Sequence, residues 1–364
     1  MRMKPNLCEI SKRLRNMTHM ALVMTFCLQA ASHAVAEEAE DQSHLANKQF
    51  LALQVENDLF GNLESTDRHY TSGLQFSYLS EASKEPGLAR DIATALVPFA
   101  PENATPKLHR YGLAIGHSIF TPANVLATRL QSNDRPYAAW AHLTFTVQTE
   151  WRSSEFSSFQ DKWKFDAGLV GPAAGGDLIQ NTVHEIVDSE VISGWSNQLP
   201  NEIGLNVSFE RTWNSPDLDL GGFLDLQVDT IPYVTAALGN VQTSIGGGAT
   251  VRIGPNLPND FGPPRIYPGI GGSEAFELSP GELSWYLFAG AESRLVARDM
   301  FLDGTLFSDS HSVDKRILVN DLRLGAVATY ECFRVSFTQV QRTKEFFGQP
   351  HPDKFGAITI SIGF

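Results

Sequence analysis

Short segments in which large apolar residues alternate with small or polar residues recur along most of the chain. In the last of them, Gly356 to Phe364, every second position is a large apolar residue. A period of two is typical of a β-strand with one apolar and one polar face. About twelve such segments are present, at residues 51–55, 74–78, 111–115, 137–147, 163–169, 203–209, 224–228, 245–253, 283–289, 322–328, 333–337 and 358–364.

An even set of alternating strands, rich in aromatic residues and glycine, is typical of a transmembrane β-barrel. The final Phe364 resembles the carboxy-terminal signal of bacterial outer-membrane proteins. A soluble β-sandwich or β-helix shows similar alternation, so single segments do not decide between the folds. Taken together, the segments predict an all-β fold, an antiparallel transmembrane β-barrel of about 12 strands.

The connections between the predicted strands follow from this topology. An even strand number places both termini in the periplasm, so the connections after odd strands lie outside the cell. The connection 171–201 is one of these, and its segment Gln180–Glu190 favours a short helix. The connections 81–108 and 254–282 would be periplasmic, with a helix favoured at 91–97 in the first.

The N-terminus has the pattern of a secretory signal peptide. Basic residues between Lys4 and Arg15 precede an apolar run at 20–31, and Ala34-Val35-Ala36 follows. The apolar run is shorter than the roughly 20 residues that a membrane-spanning helix needs. The alternative is a buried N-terminal helix. We therefore expect residues 1–36 to be removed and residues 37–364 to form a single barrel domain.

Charge and cysteine content narrow the function classes. The formal net charge is −13, and removal of residues 1–36 takes away five basic side chains and Glu9, leaving about −17. Such an acidic exported chain is a poor nucleic-acid binder, because phosphate recognition requires Lys and Arg. Cys8 and Cys27 leave with the signal peptide, and Cys332 alone forms no intrachain disulfide or cysteine-built zinc site.

Polar clusters at the outer ends of the predicted strands are candidates for chemistry. His184 is a candidate general base, and Glu190 could orient it if the chain bends after Asp188. Asn57 and Asp58 end the first strand and offer oxygen ligands for a hard cation such as Ca²⁺. The alternatives are a histidine that decorates a loop helix and a simple Asn-Asp turn.

Strand parity and position suggest further members of the site. Asp58 has the parity of Gln54, and Thr71 has that of Gln75, so both are expected to point into the lumen. Arg135 begins the fourth strand and either holds a phosphate-bearing substrate or forms a salt bridge at the rim.

These clusters, in order, resemble the lipid A 3′-O-deacylase family of outer-membrane enzymes. The resemblance rests on five short motifs that together span most of the mature chain. They are Glu-Asn-Asp-Leu-Phe at 56–60, Thr-Asp-Arg-His-Tyr-Thr-Ser-Gly-Leu at 66–74, Asn-Asp-Arg-Pro-Tyr-Ala at 133–138, Gly-Pro at 171–172, and Gln-Asn-x-Val-His at 180–184 with Glu190 and Gly194-Trp195.

The resemblance implies a twelve-stranded barrel and Ca²⁺-dependent hydrolysis of the 3′-linked acyloxyacyl ester of lipid A. It implies that His184 activates water, that Glu190 is its acidic partner, and that Ca²⁺ stabilises the oxyanion. Asn57 and Asp58 match the metal-binding pair, and Thr71 matches the threonine of the second strand.

Three further residues are candidates for contact with the substrate. Gln180 and Arg135 are assigned to substrate binding. Arg129 is the counterpart of a basic residue before the Asp-Arg motif, although the connection here is shorter and less basic.

We therefore expect a monomeric outer-membrane enzyme whose site faces the cell exterior and whose partners are lipopolysaccharide and the membrane, not nucleic acid. Two alternatives remain open on the sequence. One is an outer-membrane phospholipase or esterase that acts on another lipid, and the other is a non-enzymatic, porin-like channel.

The first prediction concerns processing. We expect cleavage after Ala36, because the small residues at 34 and 36 fit the signal-peptidase site. Intact mass and amino-terminal sequencing of the protein from outer membranes should show a chain that begins at Glu37. A mature protein that retains the apolar run at 20–31 would contradict the prediction.

Overall fold

The computed structural model describes residues 48–61, 68–82, 105–152, 158–187, 192–215, 217–221, 225–258, 260–265, 275–276 and 279–364. The proposed signal peptide and the helix expected at 91–97 lie outside these residues. Thirteen strands occur in the described part of the chain: β1 Phe50–Asn57, β2 His69–Leu79, β3 Thr105–Thr121, β4 Ala138–Arg152, β5 Ser158–Val170, β6 Glu202–Asn214, β7 Leu218–Gly221, β8 Leu226–Gly239, β9 Gln242–Pro255, β10 Ser279–Asp299, β11 Leu318–Glu331, β12 Phe333–Arg342 and β13 Asp353–Gly363.

Twelve of these strands form one closed antiparallel barrel. β1 pairs with β2 on one side and with β13 on the other. β6 pairs with β8 from Asn206–Gly239 to Thr212–Tyr233, and this pairing closes the ring. β7 lies outside the ring and pairs with the start of β8. Each predicted strand segment corresponds to one barrel strand, and only the four-residue β7 was missed.

The alternation of side chains is the one that the sequence predicts. On β2, Leu74 and Phe76 are exposed on the outer wall, whereas Ser77 is buried in the lumen. The same division holds on β12, where Val335 and Phe337 alternate with buried Arg334 and other polar residues. An outer apolar face with a polar lumen is how a barrel meets lipid.

The helices are few and short. α1 is Gly176–Val187, and α2 is Met300–Asp303; single 3-10 turns occur at Asp58–Phe60, Pro172–Ala174 and Trp195–Asn197. None of the helices in the described ranges has the length and apolar character needed to cross a membrane. α1 confirms the helix that was expected in the connection 171–201.

The barrel has two rims of different character. We call the rim at which β1, β3, β5, β8, β10 and β12 end the site rim, because it holds the candidate residues. The opposite rim is where β1 begins and β13 ends. Both α-helices lie in connections of the site rim.

A hydrophobic cluster fills the mouth of the barrel at the site rim. α2 brings Phe301 into stacked contact with Phe120 of β3, with ring centroids 4.1 Å apart. Asp299 caps this short helix by accepting a hydrogen bond from Phe301 N at 2.9 Å. The rest of the cluster consists of buried residues from the surrounding strands and connections: Tyr70, Ala138, Trp140, Val170, Leu199, Val241, Met300, Val340, Phe355 and Ala357.

Ion pairs line the lumen below this cluster. Arg294 contacts Glu292 at 2.7 Å and Asp321 at 2.8 Å, and Asp321 also contacts Arg342 at 2.9 Å. A second network joins Arg252 to Asp229 and Asp260, and Arg334 to Asp260. Buried charges require such partners, because an isolated charge in a low-dielectric interior is strongly unfavourable.

The second prediction concerns ion conduction. Because the mouth cluster and the ion pairs fill the lumen, the purified barrel should show no steady porin-like conductance in planar bilayers. A general porin in the same lipid is the control for insertion and recording. Regular, long-lived conductance steps from the purified protein would favour the channel alternative.

Candidate active site

Helix α1 packs on the outer face of the barrel. The residues beneath it, Ile119 of β3 and Ala139 of β4, alternate with Phe120 and Trp140, which point into the lumen. A Cβ at Gly176 would lie 2.4 Å from the Cβ of Ala139, so the first turn of the helix touches the strand almost directly. The helix therefore lies on the wall, outside the lumen.

Three hydrogen bonds hold the helical segment in this position. His117, on the outer face of β3, donates from Nε2 to the carbonyl oxygen of Ala174 at 2.9 Å. After the helix, Trp195 Nε1 donates to Gln180 Oε1 at 3.2 Å, and Ile192 N donates to Asn181 Oδ1 at 3.0 Å. The chain on both sides of α1 is thus fixed to the wall or to the helix itself.

His184 lies on the buried side of α1. It is 7% exposed and shares this side with Gln180, one turn earlier, which is 4% exposed. The buried Gln180 Nε2 donates no hydrogen bond to any of the described residues. A buried amide donor beside a histidine is an arrangement that can bind a carbonyl oxygen or an oxyanion.

The end of β1 carries a second group of candidate residues. Asn57 Oδ1 accepts a hydrogen bond from Leu59 N at 2.8 Å, and its Nδ2 donates to the carbonyl oxygen of Thr71 at 3.1 Å. Asp58 is 3% exposed, and its Oδ2 accepts from Arg68 N at 3.1 Å. These bonds join the end of β1 to the start of β2.

The turn 58–61 lies against the outer face of the wall. A Cβ at Gly356 would lie 2.8 Å from Phe60 Cβ, and Gln339 Nε2 donates to the carbonyl oxygen of Gly61 at 3.2 Å. Gly356 and Gln339 are on the outer face of β13 and β12. The turn that begins with Asp58 is therefore on the outer wall, and the lumenal direction expected for Asp58 does not follow from strand parity, because β1 ends at Asn57.

Thr71 also departs from strand parity. It is the extra residue of a β-bulge, since Tyr70 pairs with Phe120 and Ser72 pairs with Ile119. A bulge interrupts the alternation of side chains, so the lumenal direction of Gln75 does not apply to Thr71. Its hydroxyl oxygen lies 2.7 Å from that of Thr121.

The remaining predicted residues lie in different surroundings. Arg135 is 1% exposed, contacts Glu345 at 3.3 Å and lies over the Phe120 ring at 4.8 Å. Of the two roles that the sequence allowed for Arg135, substrate binding or a salt bridge, these contacts match the salt bridge. Arg135 therefore lies in the mouth of the barrel, away from the outer wall. Arg129 is exposed and follows Thr128, whose carbonyl oxygen accepts a hydrogen bond from Asn197 at 2.9 Å. Glu190 lies outside the described residues.

Sequence reasoning missed a polar cluster that supports the site. His69 Nδ1 lies 2.5 Å from Asp353 Oδ1, and its Nε2 lies 3.6 Å from Asp134 Oδ1. Burial alone would raise the pKa of Asp134, but hydrogen bonds from His69 and from the backbone of Ala123 and Arg135 hold it below its usual range. The Asp-His pair is separated by 65 positions or more in the sequence, so no local pattern shows it.

The cluster fixes the connection 122–137, and that connection supports the segment after α1. Tyr137 donates to the carbonyl oxygen of Val125 at 3.0 Å, and Ser193 N donates to the same oxygen at 3.4 Å. Burial raises the pKa of Tyr137 to about 12, so its hydroxyl remains a donor at neutral pH. The position of α1 therefore depends on contacts that reach across the rim to β13.

The residues available for Ca²⁺ are oxygen donors. The Asp58 carboxylate and the second lone pair of Asn57 Oδ1 fit a hard cation. Within the described ranges, no three or more His, Cys, Asp or Glu side chains are grouped so as to hold a metal ion. Such a cation would need backbone, water or substrate oxygens to complete its usual six to eight ligands.

Known proteins with a similar sequence or structure indicate the family of this barrel. The family model described as "Outer membrane protein LpxR" matches residues 20–364. The solved structure of LpxR from Salmonella typhimurium matches with a TM-score of 0.65 and 24% identity, over 86% of this chain and 99% of that one. No curated protein sequence matches the chain.

Other solved structures match less well. The β-domain of the Bordetella autotransporter BrkA has a TM-score of 0.39 at 7% identity, over 86% of this chain and 97% of its own. The translocator domain of NalP from Neisseria meningitidis has a TM-score of 0.37 at 10% identity, over 97% and 99%. The family match covers nearly the whole chain, and the protein belongs to the LpxR family of outer-membrane proteins.

Proposed function

We propose that the protein is a lipid A deacylase that hydrolyses the 3′-linked acyloxyacyl ester in the outer leaflet of the outer membrane. The observation that supports this most strongly is the position of His184, buried between a helix and the outer wall of the barrel. A site on the outer wall is open to a lipid in the membrane, whereas a site in the lumen would be open to solutes.

In the proposed mechanism His184 is the general base. Its imidazole takes a proton from a water molecule, which attacks the ester carbonyl, and then gives the proton to the leaving alkoxide. Glu190 lies three residues beyond the end of α1 and is proposed to orient the imidazole. The side-chain amide of Gln180 is proposed to donate a hydrogen bond to the carbonyl oxygen of the substrate.

The end of β1 is proposed to bind Ca²⁺ through Asp58 and Asn57. When bound, the cation supplies positive charge that polarises a carbonyl and stabilises an oxyanion. Asn57 also fixes the start of β2, because its amide holds the carbonyl of Thr71. The hydroxyl of Thr71, oriented by Thr121, is proposed to contact the substrate ester.

Recognition of the lipid headgroup is assigned to Arg129. Its exposed guanidinium, on the connection 122–137 beside the 3-10 turn at 195–197, suits a phosphate group. Arg135 has no part in this proposal, because it is buried against Glu345. We propose a single chain as the active unit, with the site rim facing the cell exterior.

The third prediction tests the base. His184→Ala should leave lipid A unmodified in cells that make the barrel, because the proton acceptor is gone. Mass spectrometry of lipid A from cells with the wild type should show loss of the 3′ acyloxyacyl group. Heat-modifiable migration in gels controls for folding of the variant.

Two outcomes of that experiment would contradict the proposal. Deacylation by His184→Ala would exclude His184 as the base. Unchanged lipid A with the wild type would exclude the substrate, and release of fatty acid from phospholipids instead would favour the phospholipase alternative.

The fourth prediction tests the cation. Removal of Ca²⁺ with a chelator should abolish deacylation by the purified enzyme, and added Ca²⁺ should restore it. Asp58→Asn should raise the Ca²⁺ concentration needed for half-maximal rate, because a neutral ligand attracts the cation less strongly. The matched control is Asp177→Asn, which removes an exposed carboxylate at the start of α1 and should behave as the wild type.

A further inference from the structure

Helix α1 has three differently composed sides. At 3.6 residues per turn, Gly176, Gln180 and His184 form the side that is buried against the wall. A second side consists of Asp177, Asn181 and Glu185, all polar. The third side is formed by large apolar residues with exposed fractions of 71%, 41%, 50% and 62%: Leu178, Ile179, Val183 and Ile186.

The apolar side is unusual for a helix that packs on a protein. A surface helix normally buries its apolar stripe and exposes its polar side. Here the residues buried against the wall are polar or glycine, and the apolar stripe is exposed. Contiguous exposed apolar surface of this kind marks contact with a membrane or with another protein.

The lipid-facing wall of the barrel continues this surface. On β3, β4 and β5 the outer face carries Ile115, Leu143 and Leu169, with exposed fractions of 59%, 64% and 42%. Toward the site rim, the outward positions of β3 and β4 are next His117 and Ala141 and then Ile119 and Ala139, where α1 packs. The helix is therefore at the upper border of the apolar band, where hydrocarbon gives way to the polar headgroups.

We propose that α1 is an interfacial helix whose apolar side lies among the acyl chains of the outer-membrane lipids, with Asp177 and Glu185 directed to the aqueous side. A helix with one charged and one apolar side lies in the plane of the interface. The buried side of α1, which carries His184, then borders the hydrocarbon. An ester reaches His184 from the side without leaving the membrane, a consequence that rests on the proposed function.

Spin labelling tests the position of the helix without reference to catalysis. In a Cys332→Ser background, Val183→Cys and Glu185→Cys place a nitroxide on the apolar and the polar side of the same helix. Leu143→Cys is the control for the lipid-facing wall, and Ser312→Cys, exposed on the connection 300–317, is the control for water.

The readout is the accessibility of each nitroxide to oxygen and to a water-soluble nickel complex, measured in bilayers by power saturation. The ratio of oxygen to nickel accessibility should be severalfold higher at 183 than at 185, with 183 similar to 143 and 185 similar to 312. Equal, water-like ratios at 183 and 185 would overturn the proposal.

A functional experiment tests entry from the membrane. The double variant Ile179→Gln, Ile186→Gln should lose activity severalfold on lipid A in bilayers and keep its rate on a water-soluble short-chain ester. Phe307→Gln, at a site-rim residue that is 79% exposed but outside α1, is the matched control and should change neither rate. Equal loss on both substrates would contradict entry from the hydrocarbon.

The two experiments separate this inference from the proposed function. If the label at 183 lies in hydrocarbon but the wild type hydrolyses no lipid A, the interfacial helix stands and the proposed function fails. If the wild type deacylates lipid A while the label at 183 lies in water, the proposed function stands and the interfacial helix fails.

Discussion

The structure depends on one constraint, that every backbone polar group within a membrane must be bonded inside the protein. A β-sheet meets this requirement only by closing on itself, and the β6–β8 pairing provides the closure. Once the sheet is closed, the period of two assigns alternate side chains to lipid and to lumen. Here the lumen is filled by ion pairs and by the mouth cluster around Phe301. The outer wall is the surface that remains for a lipid substrate.

The sequence predicted the barrel well because strand alternation is a local property. The same parity failed at the candidate site, where the strands end or become irregular. Asp58 lies one residue beyond β1, and Thr71 is the extra residue of a bulge. Both were expected in the lumen, whereas the turn that begins with Asp58 packs on the outer wall. The sequence allowed two interpretations of Arg135, binding of a phosphate-bearing substrate or a salt bridge at the rim. Only its contact with Glu345 distinguishes them.

The sequence predicted that a helix is present in the connection 171–201, but it could not predict where this helix, α1, packs. Helical pitch explains why His184 and Gln180 share one side, but not which side meets the wall. That choice comes from contacts made by distant residues, such as His117 with Ala174 and Trp195 with Gln180. The cluster of His69, Asp134 and Asp353 adds support from across the rim. A polar side of the helix, which carries the candidate base, is thus held against the outer wall.

The central claim is that the end of β1 and helix α1 form one site on the outer wall. An experimental structure in a lipid nanodisc, with Ca²⁺ and a lipid A analogue that carries an amide in place of the 3′ ester, tests it directly. The claim predicts the amide carbonyl between α1 and the outer wall, within about 3 Å of a donor from the site, with Ca²⁺ at Asp58. An analogue bound in the lumen, or at the opposite rim, would contradict it.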